Sequence, residues 1–241
     1  KQEQRRYGLK LHEAFPKTVG ANELSMGSSG EIIKYRPFLV KEEKVLLMAA
    51  ESGDEKEIAI AVNSIIKNCV KDEVDTDSLA VFDIEYLFLN LRSKSIGESV
   101  KLIIPCEHCE NECKVSVNLS DINVEKTEGH NKKIQLTDSI GVIMKYPTFK
   151  ATETIDIDKD PLKIINMCID QVYDSKSVYN TKDSSEEELV EFVDSLNQEQ
   201  FKKIQEFFET MPKLRKEVDF KCSKCEKENN VVVDRLQDFF E

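Results

Sequence analysis

The spacing of apolar positions changes along this chain, and each change marks a boundary between elements. Residues 1–34 run through "YGLKLHEAFP", a Gly/Ser/Asn-rich "GANELSMGSSG" and "EIIKYRPF". These read as an extended arm, a loop and a second strand, together an N-terminal arm and loose hairpin. Over residues 35–97 the spacing becomes helical. "FLVKEEKVLLMAAES" places Leu39, Val40, Leu46, Leu47 and Ala50 on one stripe, with Lys41, Glu42, Glu43 and Lys44 solvated opposite. Gly53 and Asp54 break that helix, and Asp54 caps a second one reaching Val70, whose buried side is Ile58, Ile60, Ala61, Ile65 and Ile66. In "SLAVFDIEYLFLNLRSKSIGES" Asp83 serves as the expected N-cap, and Tyr86, Leu87, Leu89 and Leu91 form an unusually apolar run ended by Gly97. Such a helix belongs deep between other elements.

At Ser99 the period falls to two residues. "SVKLIIP" and "CKVSVNLSD" alternate as strands do, so residues 98–120 form a β-hairpin. "KKIQL" and "IGVIMKYP" form another pair. From Asp160 the pattern is helical again: "DPLKIINMCIDQVYD" has Pro161 in its first turn, "SSEEELVEFVDSL" has Ser184 and Glu187 in capping-box spacing, and "NQEQFKKIQEFFETM" is amphipathic until Pro212. Residues 121–216 are therefore a mixed insertion, mostly helical. Strand periodicity returns at 217–234, and a tail at 235–241 offers Leu236, Phe239 and Phe240 to the core or to a partner. The fold class is α+β: a helical layer, a pair of β-hairpins split across the sequence, and a mixed α/β insertion between them.

At 241 residues, with 40% apolar and 33% charged positions, the chain has material for one large core or two intertwined modules. Its net charge of −12 is offset only by short basic runs, around Arg5-Arg6 and at 213–216, so nucleic acid is not an expected partner. No window approaches the ~20 consecutive apolar residues of a membrane helix, and no charged-then-apolar signal segment opens the sequence. Membrane insertion is not expected either.

Candidate chemistry enters with the cysteines. Seven of them, an odd number, fit free or metal-bound thiols in a reducing compartment better than a disulfide framework. Cys69 and Cys168, in apolar helical surroundings, read as small core residues. The other five cluster in "PCEHCENEC" and "KCSKCEKEN". Aligned at one offset of 116 residues, Cys222 falls on Cys106, Cys225 on Cys109, Glu226 on Glu110, Glu228 on Glu112, and Val231 and Val233 on Val115 and Val117. The motif is thus an internal repeat of strand, Cys-x-x-Cys, polar turn, strand. Two such knuckles supply four thiolates, the closed tetrahedral shell of structural Zn2+. The expected ligands are Cys106, Cys109, Cys222 and Cys225, in a zinc-ribbon-like module formed by 98–120 and 217–234. Cys113 and His108 have Asn229 and Lys224 as counterparts and read as bystanders. Strands, not helix starts, flank both pairs, which argues against a thioredoxin-type redox site. A closed shell also leaves no position for metal-activated water.

Catalytic signatures are poorly represented. His12, His108 and His130 are the only histidines, and no nucleophile elbow, zinc-protease helix or phosphate-binding glycine loop occurs. The pairings in "EVDTD" and "ETIDIDKD" read as solvated turns, and no catalytic residue or small-molecule substrate is expected.

The blocks "YRPFLVKEEKVLLMAAES" and "FDIEYLFLNLRSKSIGES" resemble the baseplate hub proteins of T-even-like contractile-tailed bacteriophages, a family with a hub subunit and a related hub assembly protein. The resemblance implies a non-enzymatic part in building the baseplate hub, by binding other hub proteins, in the virion tail or in the host cytoplasm during assembly. Arg36, at the head of the first block, pairs with a nearby carboxylate or contacts a hub partner. The competing reading is a zinc-ribbon adaptor for nucleic acid or the transcription machinery; the net charge and the acidic knuckle tips weigh against it.

Overall fold

The structure is a computed structural model that describes residues 21–71, 73–154 and 161–234. Residues 1–20, and with them His12, and the tail from residue 235 lie outside the described residues, as does most of "ETIDIDKD". The first described element is an antiparallel hairpin of β1 (Asn22–Ser25) and β2 (Ile32–Tyr35), with Asn22 opposite Tyr35 and Ser25 opposite Ile32. Its turn is closed by Gly30 in the left-handed region, φ 73°, donating to the Met26 carbonyl at 2.8 Å.

Three helices follow: α1 (Val40–Ser52), α2 (Glu55–Cys69) and α3 (Val81–Ser95). Gly53, left-handed at φ 66°, ends α1. The Asp54 carboxylate caps α2 by accepting from the Lys56 and Glu57 amides at 2.8 and 3.4 Å, as its position predicts. The burial pattern of α1 departs from the expected stripe. Its inner face is Glu42, Leu46 and Ala49, while Val40, Leu47 and Met48 face solvent at 66, 56 and 71% exposure. On α2, Ala61, Ile65 and Ile66 are buried as expected, but Ile60 points outward.

Glu42, expected to be solvated, is 4% exposed. It pairs with the Arg36 guanidinium at 3.0 Å and accepts from the Leu39 amide at 2.8 Å, serving the helix start that the Leu39 side chain cannot cap. Burial alone would raise its pKa; the Leu39 amide, Arg36 and Lys41 hold the carboxyl below its ordinary range instead.

Helix α3 is the shared spine. Ile84, Leu87, Phe88 and Leu91 join Ile33, Phe38, Val62 and Ile66 in a first apolar cluster, Leu89 enters a second, and Phe82 enters a third. A helix buried on several sides must be apolar around its circumference, which accounts for its sequence. Asp83 is not its N-cap, a position held by Ala80. The fully buried Asp83 carboxylate reaches back to the β1–β2 turn, accepting from the Gly27 and Ser28 amides at 2.7 and 3.3 Å and from the Ser28 hydroxyl.

Four strands form two further hairpins. β3 (Ser99–Pro105) pairs with β4 (Glu112–Asn118), and β10 (Lys213–Lys221) with β11 (Glu228–Val233). The start of β10 also pairs with β5 (Asn123–Glu125), giving the order β11-β10-β5. Inward residues of both hairpins, among them Val100, Leu102, Val117, Val218 and Phe220, make the second cluster with Leu89. Between the hairpins, β6 (Lys133–Gln135), β7 (Gly141–Met144), β8 (Ile169–Tyr173) and β9 (Val178–Asn180) form an antiparallel sheet in that order. With it lie α4 (Phe149–Thr154), α5 (Pro161–Cys168), α6 (Glu186–Asp194) and α7 (Gln198–Thr210). The β6–β7 pair is as expected. The long helix expected from Asp160 instead ends at Cys168, and Ile169 begins a strand. The capping box of α6 is one residue later than expected, Ser185 with Glu188. The molecule thus mixes helices with several small sheets, and among the described residues no helix is long and apolar enough to cross a membrane.

Candidate metal centre

Each Cys-x-x-Cys sits in the turn of its own hairpin, and the two turns repeat one another bond for bond. The Cys106 amide donates to the Asn111 carbonyl and the Cys222 amide to that of Lys227, both at 2.9 Å. The Glu110 and Glu226 amides return to the Cys106 and Cys222 carbonyls at 2.8 and 3.0 Å. To close this turn Glu110 and Glu226 both enter the left-handed region, at φ 57 and 59°. Folding the backbone back on itself aims amides at sulfur: His108 N–H donates to Cys106 Sγ and Lys224 N–H to Cys222 Sγ, both at 3.4 Å.

The second cluster presses the hairpin tips together. The sulfurs of Cys106 and Cys225 lie 3.6 Å apart and those of Cys109 and Cys222 3.7 Å, with all four within 4.8 Å of one another. Cys106 and Cys222 are buried, and Cys109 and Cys225 half-buried. A tetrahedral ion with bonds of about 2.3 Å to sulfur requires sulfurs about 3.8 Å apart, so the residues present fit a four-thiolate metal ion. The electrostatics agree. Amide hydrogen bonds from Cys225 and Lys224 pull the Cys222 thiol down to about 6, and against the effect of burial the His108 and Cys109 amides pull Cys106 down as well. Cys109 is pushed up to about 12: the Asn111 amide favours its thiolate, but burial and the neighbouring sulfurs oppose it. Without a cation the group cannot hold full negative charge; a bound dication removes that conflict.

Cys113 is buried next to Asn111, outside this group of four. Asn229, its repeat partner, crosses between the hairpins: its side-chain oxygen accepts from the Glu107 amide at 2.9 Å, and its Nδ2 donates to the Lys227 carbonyl at 3.0 Å. His108 lies outside the group too, but its Nε2 meets the Glu228 carbonyl at 3.3 Å across the same seam. Sequence reasoning missed both ties. The break in the repeat at Asn229 was the available signal, because a residue that departs from an internal symmetry is free to bridge its halves.

The other singled-out side chains lie elsewhere. Cys69 and Cys168 are core thiols, raised by burial to about 11 and about 12. His130 stacks on Tyr146, bonds to its hydroxyl at 3.1 Å and to Thr210 Oγ1 at 3.0 Å, and so joins a loop to the end of α7. Arg36 pairs with a carboxylate, that of Glu42.

A family model described as T4 bacteriophage base plate protein matches residues 22–241. No curated protein and no solved structure matches the chain.

Proposed function

The chain belongs to the T4 bacteriophage base plate protein family, and from that premise we propose that it is a non-enzymatic component or assembly factor of the baseplate hub, stapled internally by one structural Zn2+. Membership implies a structural part of the virion tail and contact with other phage tail proteins; the finer assignment, to hub subunits as partners, extends it. Cys106, Cys109, Cys222 and Cys225 would hold the ion. The observation that carries this reading is the meeting of two hairpin turns, distant in sequence, with sulfurs spaced at 3.6 and 3.7 Å. When bound, such an ion supplies cross-linking and no open coordination position for substrate or water. His130 holds both ring nitrogens, and His108 its Nε2, in structural hydrogen bonds, which favours a building part over a catalyst.

The adaptor reading for nucleic acid or the transcription machinery finds less support. The knuckle turns carry Glu107, Glu110 and Glu226 against Lys224 and Lys227, so they offer no basic cluster, and the chain's net charge of −12 repels phosphate. Two measurements test the proposal. Metal analysis of purified protein is expected to give about one zinc per chain, lost in the Cys106→Ser/Cys222→Ser double variant. Mass spectrometry of purified tails, beside pull-down from infected cells, is expected to find the chain with hub proteins. A metal-free protein would remove the staple, and tight salt-sensitive DNA binding would favour the adaptor.

A further inference from the structure

The outward face of α1 carries large apolar side chains that the core does not use. Helix positions 40, 44, 47, 48 and 51 fall within about a third of the circumference. They are Val40, Lys44, Leu47, Met48 and Glu51, all exposed, with the three apolar side chains each more than half open to solvent. The opposite face is anchored in the core by Leu46 and Ala49, so the outward stripe is held in place as a rigid ridge. A run of large apolar side chains on such a ridge marks a contact surface.

Its charges specify the occupant. Lys44 and Glu51 flank the Leu47–Met48 pair symmetrically, three residues to either side, and among the described residues neither forms an ion pair. Lay a second copy of α1 antiparallel on the first, with the two-fold axis between Leu47 and Met48. Leu47 then faces Met48 of the other copy, and Lys44 faces Glu51 of the other copy twice over. A two-fold contact requires a patch complementary to itself, and the four central positions 44, 47, 48 and 51 meet that requirement in both apolar and charged character. We infer that α1 is a homodimerisation helix, pairing antiparallel with α1 of a second copy through Leu47 and Met48 and two Lys44–Glu51 bridges. One helix seam is small, so the dimer is a reversible, concentration-dependent one. This inference does not depend on the metal centre, which lies in the hairpins.

Sedimentation velocity on the full chain tests it, with zinc content and thermal midpoint as controls for folding, since Lys44 and Glu51 are exposed and outside the core. The wild-type protein is expected to move from monomer to dimer as concentration rises. Lys44→Glu and Glu51→Lys should each weaken the dimer about tenfold or more, by turning both bridges into like-charge pairs. An equimolar mixture of these two variants should recover dimer, because both bridges are restored between unlike chains. Met48→Asp should leave a monomer. A wild-type chain that stays monomeric at its solubility limit overturns the inference, as does a dimer indifferent to the single reversals or a mixture that recovers nothing. Protection of this face by a different tail protein, without self-association, also overturns it.

Discussion

Individual carboxylates divide sharply by environment in this molecule. Asp83 is fully buried and accepts hydrogen bonds from two amides and a hydroxyl of the β1–β2 turn. Asp83→Ala strands those donors and should cost about 2–3 kcal/mol in urea unfolding. Glu42 and Glu85 should give opposite pH dependences. The Glu42 pKa is depressed in the fold, so its stabilisation is present above the ordinary carboxylate range and is lost as pH falls through the folded value. Glu85 is pushed up to about 7 by burial and by Asp234. Its favourable state is the protonated one, complete below the unfolded value and lost as pH rises through about 7. Glu85→Gln should therefore stabilise the protein by roughly 1–2 kcal/mol at pH 8, discounted for its partial exposure, with the gain gone below about pH 4.5. Thermal unfolding of the variant across that range decides it; a constant gain at all pH values would refute burial of the charged carboxylate as the cause. None of this was legible in sequence. A carboxylate near a helix start looks the same whether it caps its own helix or reaches a turn more than 50 residues away, as Asp83 does.

At the scale of elements, the cysteine hairpins were the most legible part, because alternation, turn residues and repeat all point to one structure. Glu110 and Glu226 occupy the left-handed region, where an L side chain is disfavoured. Glu110→Gly or Glu226→Gly should remove that strain and hold or raise stability by up to about 1 kcal/mol, read as the thermal midpoint of the metal-loaded protein. Asn229→Ala should act oppositely, weakening retention of the proposed metal ion about tenfold in a chelator competition, since it removes the tie from one knuckle to the other. Elements were misread where one pattern fits two structures. Ile164, Ile165, Cys168, Ile169 and Val172 lie on a helical stripe, yet the chain leaves the helix at Cys168 and pairs β8 with β7. The edge of a waiting sheet, which no local window contains, decides that change. The stripe on α1 failed for a different reason: apolar spacing says which residues share a face and not which face is buried.

For the whole molecule, α3 joins three apolar clusters, and the cysteine group closes the second of them at its far end. Removing the proposed metal ion should loosen that cluster first. Hydrogen exchange after chelation is expected to show lost protection in β3, β4, β10 and β11, with α1 and α2 retaining theirs. Uniform loss across all elements would mean that the clusters do not melt separately.

The separation of the two knuckles also sets an order in time. The ribosome releases Cys106 and Cys109 well before Cys222 and Cys225, and at 5–20 residues per second the intervening stretch takes on the order of 6–23 s to emerge. During that interval half of the cysteine group waits while β6 to β9 and α4 to α7 are being made. A chain that stops early can never complete the set. The position of the last two cysteines thus makes closure of the group wait until every element between the two knuckles has been made.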